Sequence, residues 1–174
     1  LRAAALLHVV RFARWPDDRF DADEAPVVVG VPRDAAITPY LLATFRDHGV
    51  GGRRIVVREL DLAPETDAGG RGPDAASESA RIAAAVAACH VLYVPEDRRA
   101  ARVLARTWPV ARREHVLIVT EARSALDRGG MLAMPLVDGR ISLVVNRATQ
   151  REAGIELSSR LLKLATIVER EVRP

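Results

Sequence analysis

Segments rich in β-branched apolar residues recur at four places along the chain, at residues 27–31, 55–60, 91–94 and 116–119, and only the second contains charged residues, Arg58 and Glu59. Such runs are typical of strands that are buried on both faces of a sheet. The segments between the runs are long enough to contain a helix, as the crossovers between parallel strands must be. The pattern therefore predicts a doubly wound α/β fold with right-handed connections.

Segments with one apolar face predict the flanking helices. Residues 3–14 are apolar around most of a helical circumference, and His8 and Arg11 form a narrow polar stripe. This pattern indicates an opening helix with a wide apolar face. Further helices are expected at residues 75–88, after a glycine-rich surface loop at 69–73, and at residues 97–106.

Capping signals predict where two of the helices begin and end. We expect Thr38 to be the N-cap of the second helix, Pro39 to be its first residue, and Gly49 to end it in a left-handed conformation. Asp97 is expected to cap the helix at residues 97–106.

The last third of the chain predicts a change from parallel to antiparallel pairing. Residues 131–137 and 140–146 flank Asp138 and Gly139, a strong signal for a two-residue hairpin. Pro135 has no N–H to donate, so we expect the first arm to lie at a sheet edge or to contain a bulge.

A closing helix is expected from Ser159, with one apolar face formed by Leu161, Leu164, Ala165 and Val168. The length favours one domain over residues 1–174. We therefore predict a single-domain α/β fold in which a mainly parallel central sheet is flanked by helices and followed by a C-terminal antiparallel hairpin and a closing helix.

Charge and hydropathy exclude two classes of protein. The chain has 26 basic and 23 acidic residues and a net charge of +3, and no four basic residues are consecutive. We therefore expect no nucleic-acid binding, which depends on neutralising many phosphates. No apolar stretch approaches the roughly 20 residues of a membrane-spanning helix, so none is expected.

No motif of an enzyme or a metal site is found in the sequence. The chain lacks a nucleophile elbow, a phosphate-binding loop and a His-Glu-x-x-His motif, and its four histidines fall on separate predicted elements. Cys89 is the only cysteine and is expected to be a small buried hydrophobe. The acidic segment 17–24 lacks the central glycine of a calcium loop. We predict no catalytic residues, no metal and no cofactor.

Charged residues follow the predicted strands, at the end of the sheet where ligands bind in parallel α/β folds. They carry both signs, so this rim could hold a zwitterionic small molecule. Solvated loop charges are the alternative interpretation. The rim residues are Arg33, Asp34, Asp61, Glu96, Glu121 and Arg123.

Several motifs together resemble the YfiR-like family of bacterial periplasmic proteins. They lie at both ends of the chain and in its middle, so that the resemblance covers essentially the whole sequence. The matching segments are residues 12–16, 28–31, 89–94, 128–131, the hairpin around 138–139, 145–146, 153–154 and 155–165.

The resemblance implies a compact α/β domain that regulates without catalysis. A protein of this kind is secreted into the periplasm, so a signal peptide would have preceded residue 1. There it binds the periplasmic sensor region of a membrane diguanylate cyclase and holds down cyclic di-GMP synthesis, although some relatives could serve other envelope sensors. Since Cys89 is alone, disulfide switching within one chain is excluded.

Trp15, Asn146 and Arg160 are the candidates for partner binding among the matching residues, and a structural role is the alternative for each. Arg160 begins the closing helix, where a salt bridge or an anion could offset its unfavourable position in the helix dipole. The apolar face of the opening helix and the hairpin edge could form a homodimer or contact the cyclase. A small-molecule sensor that uses the charged rim is the alternative function.

Overall fold

The computed structural model describes residues 1–62 and 73–172, which form six α-helices, twelve strands and two short 3-10 helices within those ranges. The helices are α1 (Arg2–Phe12), α2 (Thr38–Phe45), α3 (Pro73–Ala87), α4 (Ala100–Arg113), α5 (Arg147–Glu152) and α6 (Ser159–Leu164). The strands are β1 (Ala13–Arg14), β2 (Val27–Pro32), β3 (Gly49–Val50), β4 (Arg53–Leu60), β5 (Val91–Val94), β6 (Leu117–Thr120), β7 (Leu132–Ala133), β8 (Leu136–Val137), β9 (Arg140–Ile141), β10 (Leu143–Asn146), β11 (Glu156–Leu157) and β12 (Ala165–Val168).

The main sheet has eight strands in the order β12-β10-β7-β6-β5-β2-β4-β3. Five neighbouring strands, from β4 to β7, are parallel to one another. In chain order these strands are β2, β4, β5, β6 and β7. If they are numbered 1 to 5 in that order, their order across the sheet is 2-1-3-4-5, which is one of the two common orders of doubly wound folds. The predicted fold class is confirmed, and all four apolar runs form interior strands.

The order of the strands reverses between β2 and β5. The chain leaves β2 through α2 towards β4, and it returns from β4 through α3 to β5 on the other side of β2. Since both connections are right-handed, α2 and α3 cover opposite faces of the sheet. Helix α1 packs beside α2, and α3 packs on α4.

The close contact of β2 with its neighbours requires a glycine. A Cβ atom on Gly30 would lie 2.7 Å from both the Cys89 Sγ and the Leu60 Cδ1. Cys89 is fully buried and free, and burial raises the pKa of its thiol to about 11. The thiol is therefore a small core group, as predicted.

Two predicted helix ends are wrong. Helix α1 ends at Phe12, because Ala13 and Arg14 extend to pair with β11. Thr38 is the first helical residue and Ile37 the cap, and the Thr38 side chain makes no capping bond.

Gly49 and Asp97 also differ from their predicted capping roles. Gly49 belongs to β3, and the positive φ angles fall on Gly51 and Gly52 in the turn to β4. Asp97 accepts a hydrogen bond from the Arg99 N–H, but α4 begins only at Ala100 and continues through Pro109 to Arg113. The predicted loop at 69–73 lies outside the described residues apart from its last residue, where α3 begins.

The C-terminal hairpin forms, but its first arm is not an edge. Strand β7 lies between β6 and β10, antiparallel to β10. Pro135 follows β7, outside the ladder, and leads into the small β8–β9 hairpin. At the tip of this hairpin Asp138 and Gly139 have φ angles of 49° and 74°, as a type I′ turn requires.

The predicted closing helix is confirmed in its first part and wrong after Leu164. Helix α6 ends at Leu164, and the next four residues form β12, the edge strand parallel to β10. Thr166, Ile167 and Val168 are β-branched and favour a strand. Pairing with β10 therefore overrides the helical spacing that links Ala165 and Val168 to Leu161 and Leu164.

Candidate functional site

A pocket of about 740 Å³ opens at the carboxyl edge of the sheet, where the strand order reverses. Residues directly after β2 and directly after β5 line its two sides, because the connections leave these adjacent strands in opposite directions. The start of α1 and Glu121, which follows β6, complete the lining. The pocket therefore lies at the position where doubly wound folds bind ligands.

A buried tyrosine orients the carboxylate of Glu121 in the pocket. The Tyr93 hydroxyl donates a hydrogen bond to the Glu121 Oε1 over 2.5 Å. Burial and the neighbouring carboxylate raise the pKa of Tyr93 far above its usual value, so that the hydroxyl keeps its proton. Only 14% of the Glu121 side chain is exposed, and its position is fixed by a neutral donor.

Arg2, in the first turn of α1, supplies the opposite charge. Its Nη2 lies 3.6 Å from the Glu121 Oε2. The Arg2 Nε is buried and has no hydrogen-bond partner among the described residues. Most buried side-chain donors are paired, so the Arg2 Nε is an exception, a buried donor without a partner among the described residues.

Further charges stand at the mouth of the pocket. Arg33, Asp34 and Glu96 are exposed and form no ion pair within residues 1–62 and 73–172. Asp34 has a φ angle of 62°, in the left-handed region that few non-glycine residues adopt. Asp97 and Arg99 pair with each other at 3.6 Å. The mouth therefore offers unpaired charges of both signs.

An apolar wall faces these charges. Ile37 and Tyr40 contribute from α2 and the turn before it, and Leu136 and Ile141 from the β8–β9 hairpin. Tyr40 is 68% exposed and Leu136 50% exposed. Large apolar side chains exposed side by side mark a surface that can contact another molecule.

The structure brings together part of the predicted rim. Arg33 and Glu121 both line the pocket. Asp61 lies in an adjacent smaller cavity, where its carboxylate is 3.5 Å from the Arg81 guanidinium. Arg123 is exposed at the start of a 3-10 helix, Arg123–Arg128, and is not among the pocket's lining residues.

Trp15, Asn146 and Arg160 also lie outside the pocket. Asn146 is fully buried and binds backbone groups of α5, of Leu126 and of Arg170. Arg160 is exposed on α6, and within the described residues its predicted salt bridge does not form.

Trp15 belongs to an aromatic cluster at the amino edge of the sheet. Its ring meets those of Phe20 and His90 edge-on, and Phe20 stacks on His90 with the ring centroids 4.5 Å apart. The Arg53 guanidinium lies 4.0 Å over the Phe20 ring. This geometry gives Trp15 a packing role.

Of the two predicted contact surfaces, the apolar face of α1 is covered within the chain, and the hairpin edge is covered at β10 but not at β8 and β9. Helix α1 buries its apolar face, which comprises Ala3, Leu6, Leu7, Val9 and Val10. The hairpin strand β10 is covered by β12. The remaining exposed apolar groups around the pocket are therefore the better candidates for contact.

Arg2 and Tyr93 were not predicted from the sequence. Tyr93 is the single aromatic residue within the third apolar run, and this is the one signal that could have singled it out. Nothing local places Arg2 beside Glu121, because their contact depends on how α1 packs across the sheet.

The described residues form neither a candidate metal site nor a membrane-spanning helix. Within residues 1–62 and 73–172, no three His, Cys, Asp or Glu side chains are grouped so that they could hold a metal ion. Over the same residues, no helix has the length and apolar character needed to cross a bilayer.

Solved structures share the fold at low sequence identity. A conserved domain protein from Vibrio cholerae O1 biovar El Tor is 14% identical, with a TM-score of 0.56 over 80% of this chain and 54% of that one. An ABC domain from Streptococcus pneumonia in complex with L-Trp is 11% identical, with a TM-score of 0.57 over 82% and 55%. An open, ligand-free substrate-binding protein with adhesive properties from Clostridium difficile is 12% identical, with a TM-score of 0.54 over 83% and 55%.

These similarities show the fold alone, and the chain spans about half the length of each of these structures. No curated protein matches the sequence. A model of the YfiR/HmsC-like family, whose members are periplasmic regulators of diguanylate cyclase signalling and not enzymes, matches residues 1–166. The motifs at both ends of the chain and the doubly wound core are thus parts of one continuous match, and the chain belongs to the YfiR/HmsC-like family.

Proposed function

We propose that this protein acts in the periplasm, where it binds the sensor region of an inner-membrane diguanylate cyclase and represses cyclic di-GMP synthesis. The observation that carries the proposal is the family match over residues 1–166. Repression by binding requires a surface with a higher affinity for the inactive state of the cyclase than for its active state.

The carboxyl edge of the sheet supplies a suitable surface. Tyr40 on α2 and Leu136 and Val137 on the β8–β9 hairpin are each at least half exposed. Exposed aromatic and aliphatic side chains bordered by charges have the composition of a protein interface. The charges of both signs at the pocket mouth would set the orientation of the partner.

Size-exclusion chromatography with the periplasmic segment of a cyclase encoded beside this protein tests the proposal. We expect co-migration at micromolar concentrations and a lower cyclic di-GMP level in cells that contain both proteins. Separate migration with an unchanged cyclic di-GMP level would exclude direct repression.

Two variants test the surface. Tyr40→Glu and Leu136→Glu should each weaken the complex at least tenfold, because each places a charge where an apolar contact forms. Leu164→Glu is the matched control, since Leu164 is 75% exposed on α6 and lies outside the pocket. Equal loss in all three variants would place the interface elsewhere.

A second candidate function is the sensing of a small molecule for an envelope signalling system. The observation in its favour is the pocket at the point where the strand order reverses. It joins an apolar wall to the charges of Arg33, Asp34 and Glu96, which form no ion pair within the part of the chain that the structure describes. A thermal-shift screen tests it, because a ligand that binds the native state raises the unfolding midpoint.

A homodimer is a further assembly predicted from the sequence. Since α1 is covered, the free edge of β12 is the surface we propose for it. Light scattering coupled to size exclusion should give twice the monomer mass, and a monomer at all concentrations would exclude it.

A further inference from the structure

The main sheet has an open edge along β4. Strand β3 pairs only with Arg53 and Arg54, at the start of β4, whereas β2 pairs with residues 55–60 on the inner side. Among the described residues, no strand lies beside residues 56–60 on their outer side. Most of this long strand is therefore available to a further strand.

The hydrogen bonds of β4 show which backbone groups face the open side. The Leu60 carbonyl oxygen accepts a bond from the Arg33 N–H over 2.8 Å, so Leu60 directs its backbone groups towards β2. Since these directions alternate along a strand, Val57 and Glu59 direct their N–H and C=O groups outward. Within residues 1–62 and 73–172 these outward groups have no hydrogen-bond partner. An incoming strand could pair with all four of them.

Two arginines project beside this edge. Arg54 and Arg58 are exposed, and they lie on the same face of β4 because they are four residues apart. Neither forms an ion pair in the part of the chain that the structure describes. A strand added here therefore meets two unneutralised positive charges on one face, about 13 Å apart along its length.

The other face of the edge is apolar. Val57 is half-buried and pairs in register with Val29, on the same sheet face as Tyr93, which is the face that α1 and α2 cover. On α2, Tyr40 lines the pocket, and Leu42 lies about 200° further around the helix. Leu42, which is 50% exposed, is therefore on the side of α2 away from the pocket, which is the side of β4.

A second copy of this chain does not suit the edge. Antiparallel pairing of two copies about a two-fold axis keeps each side chain on its own face of the sheet. The registers that align most of residues 54–60 then place Arg58 of one copy beside Arg54 or Arg58 of the other, directly or diagonally. Like charges at such positions are destabilising. The occupant should therefore carry the opposite charge.

From this geometry we propose that the open edge of β4 binds an extended segment of a partner protein in which acidic and apolar side chains alternate. The backbone of the segment pairs with Val57 and Glu59, as in other cases of strand addition. Its carboxylates face Arg54 and Arg58, and its apolar side chains face Val57 and Leu42. The inference does not rest on the proposed cyclase contact, which lies at the pocket mouth on the other side of α2.

Fluorescence anisotropy with labelled peptides and the full chain tests the proposal. The probe is a capped eight-residue peptide of alternating valine and glutamate. One control peptide carries lysine in place of glutamate, and another has the same composition with its valines and glutamates in separate blocks. We expect the alternating glutamate peptide to bind at least tenfold more tightly than either control, and its affinity should fall as the salt concentration rises.

Amide hydrogen exchange locates the backbone contact. When the glutamate peptide binds, exchange at the N–H groups of Val57 and Glu59 should slow at least tenfold. The N–H groups of Val56 and Arg58 already face β2 and should change much less. Val57→Pro removes an outward donor that the pairing with β2 does not use and should abolish binding, whereas Val57→Thr keeps the donor and should preserve it.

A charge exchange tests the side-chain contact. Arg58→Glu should weaken binding of the glutamate peptide at least tenfold. Arg160→Glu is the matched control, because Arg160 is exposed on α6, which leads to the opposite edge of the sheet, and should leave binding unchanged. The double variant Arg54→Glu/Arg58→Glu should bind the lysine peptide more tightly than the glutamate peptide. A gain of this kind cannot come from a loss of stability.

The possible results decide between the occupants of the edge. Equal binding of the glutamate and lysine peptides, or no binding at millimolar concentration, would overturn the proposal. Binding without slower exchange at Val57 and Glu59 would reject strand addition in favour of simple charge attraction. A dimer of the chain that Val57→Pro dissociates would assign the edge to a second copy. None of these results bears on the cyclase complex, which is tested with another protein and other residues.

Discussion

The Trp15 indole donates a hydrogen bond from its Nε1 to the backbone carbonyl oxygen of His90 over 3.0 Å. This bond joins the segment after α1 to the residue that precedes β5, 75 positions further along the chain. The Trp15 ring also meets the imidazole edge-on, with the ring centroids 5.8 Å apart. Trp15 therefore connects the end of the first helix to the central sheet through a hydrogen bond and a ring contact.

We expect Trp15→Phe to lower the free energy of unfolding by about 1–2 kcal/mol, because it removes one net hydrogen bond and some buried ring surface. Urea denaturation at neutral pH measures the loss. Binding to the cyclase segment should be unchanged, since Trp15 lies at the opposite edge of the sheet from the pocket. A weaker complex with unchanged stability would instead make Trp15 a partner anchor.

His90 should make stability depend on pH. Its Nδ1 accepts a hydrogen bond from the Val28 N–H, and its pKa is lowered from 6.5 to about 4. Burial is the main cause of the lowered pKa, followed by repulsion from the Arg19 guanidinium. A backbone hydrogen bond at Arg19 opposes the shift, repulsion from Arg53 adds to it, and the Asp21 carboxylate opposes it. The folded state therefore holds the imidazole in its neutral form at pH values where the unfolded chain already binds a proton.

The contribution of His90 to stability is complete above pH 6.5, and it is lost as the pH falls from 6.5 to 4. Over this range the loss is at most about 3–4 kcal/mol, because each pKa unit corresponds to about 1.4 kcal/mol. His90→Asn keeps an acceptor near the Val28 N–H and removes the titrating group. Urea denaturation at pH 7.5 and 4.5 should show a smaller decrease for this variant, and equal decreases would remove His90 as the cause.

The interior of the sheet could be predicted because its sequence signal is local and redundant. Every residue of the runs 27–31 and 91–94 is buried, so apolar content alone identifies the strand. The segment 165–168 carried a weaker and mixed signal. The spacing of Ala165 and Val168 continues the apolar helical face of Leu161 and Leu164, whereas the β-branched residues of the segment favour a strand. Only the pairing with β10 decides between the two.

The pocket could be located from the sequence, but its deeper chemistry could not. The rule that ligands bind at the carboxyl ends of parallel strands placed Arg33 and Glu121 on one rim. The contact of Arg2 with Glu121 joins residues 119 positions apart, and it depends on the packing of α1. The sequence leaves both a binding role and a structural role open for Asn146, because side-chain type alone does not reveal burial.

Asn146→Ala should be strongly destabilising. The Asn146 Nδ2 donates to the carbonyl oxygens of Leu126 and Arg170, and its Oδ1 accepts from the N–H groups of Ala148 and Arg170. The variant leaves these backbone groups unpaired in a buried site, which costs about 3 kcal/mol in the free energy of unfolding. Thermal and urea denaturation measure this loss.

Arg160→Ala provides the comparison for Asn146. Arg160 is exposed, so we expect a change within about 0.5 kcal/mol. If Asn146→Ala were equally mild and weakened the cyclase complex instead, Asn146 would be a binding residue and not a structural one.

Gly30→Ala tests the packing on which the pocket depends, because Gly30 lies in β2 just before the residues that form the pocket wall. The new Cβ would lie 2.7 Å from the Cys89 Sγ and 2.7 Å from the Leu60 Cδ1, closer than real Cβ atoms approach their neighbours. We expect a loss of about 1–3 kcal/mol from overpacking. The double variant with Cys89→Ala removes one of the two clashes, so the alanine at position 30 should cost less in that background by at least 0.5 kcal/mol, as a double-mutant cycle would show. Equal costs in both backgrounds would mean that β2 shifts away from β5 to accommodate the methyl group. Such a shift should also weaken the binding of any ligand that is held between the ends of those two strands.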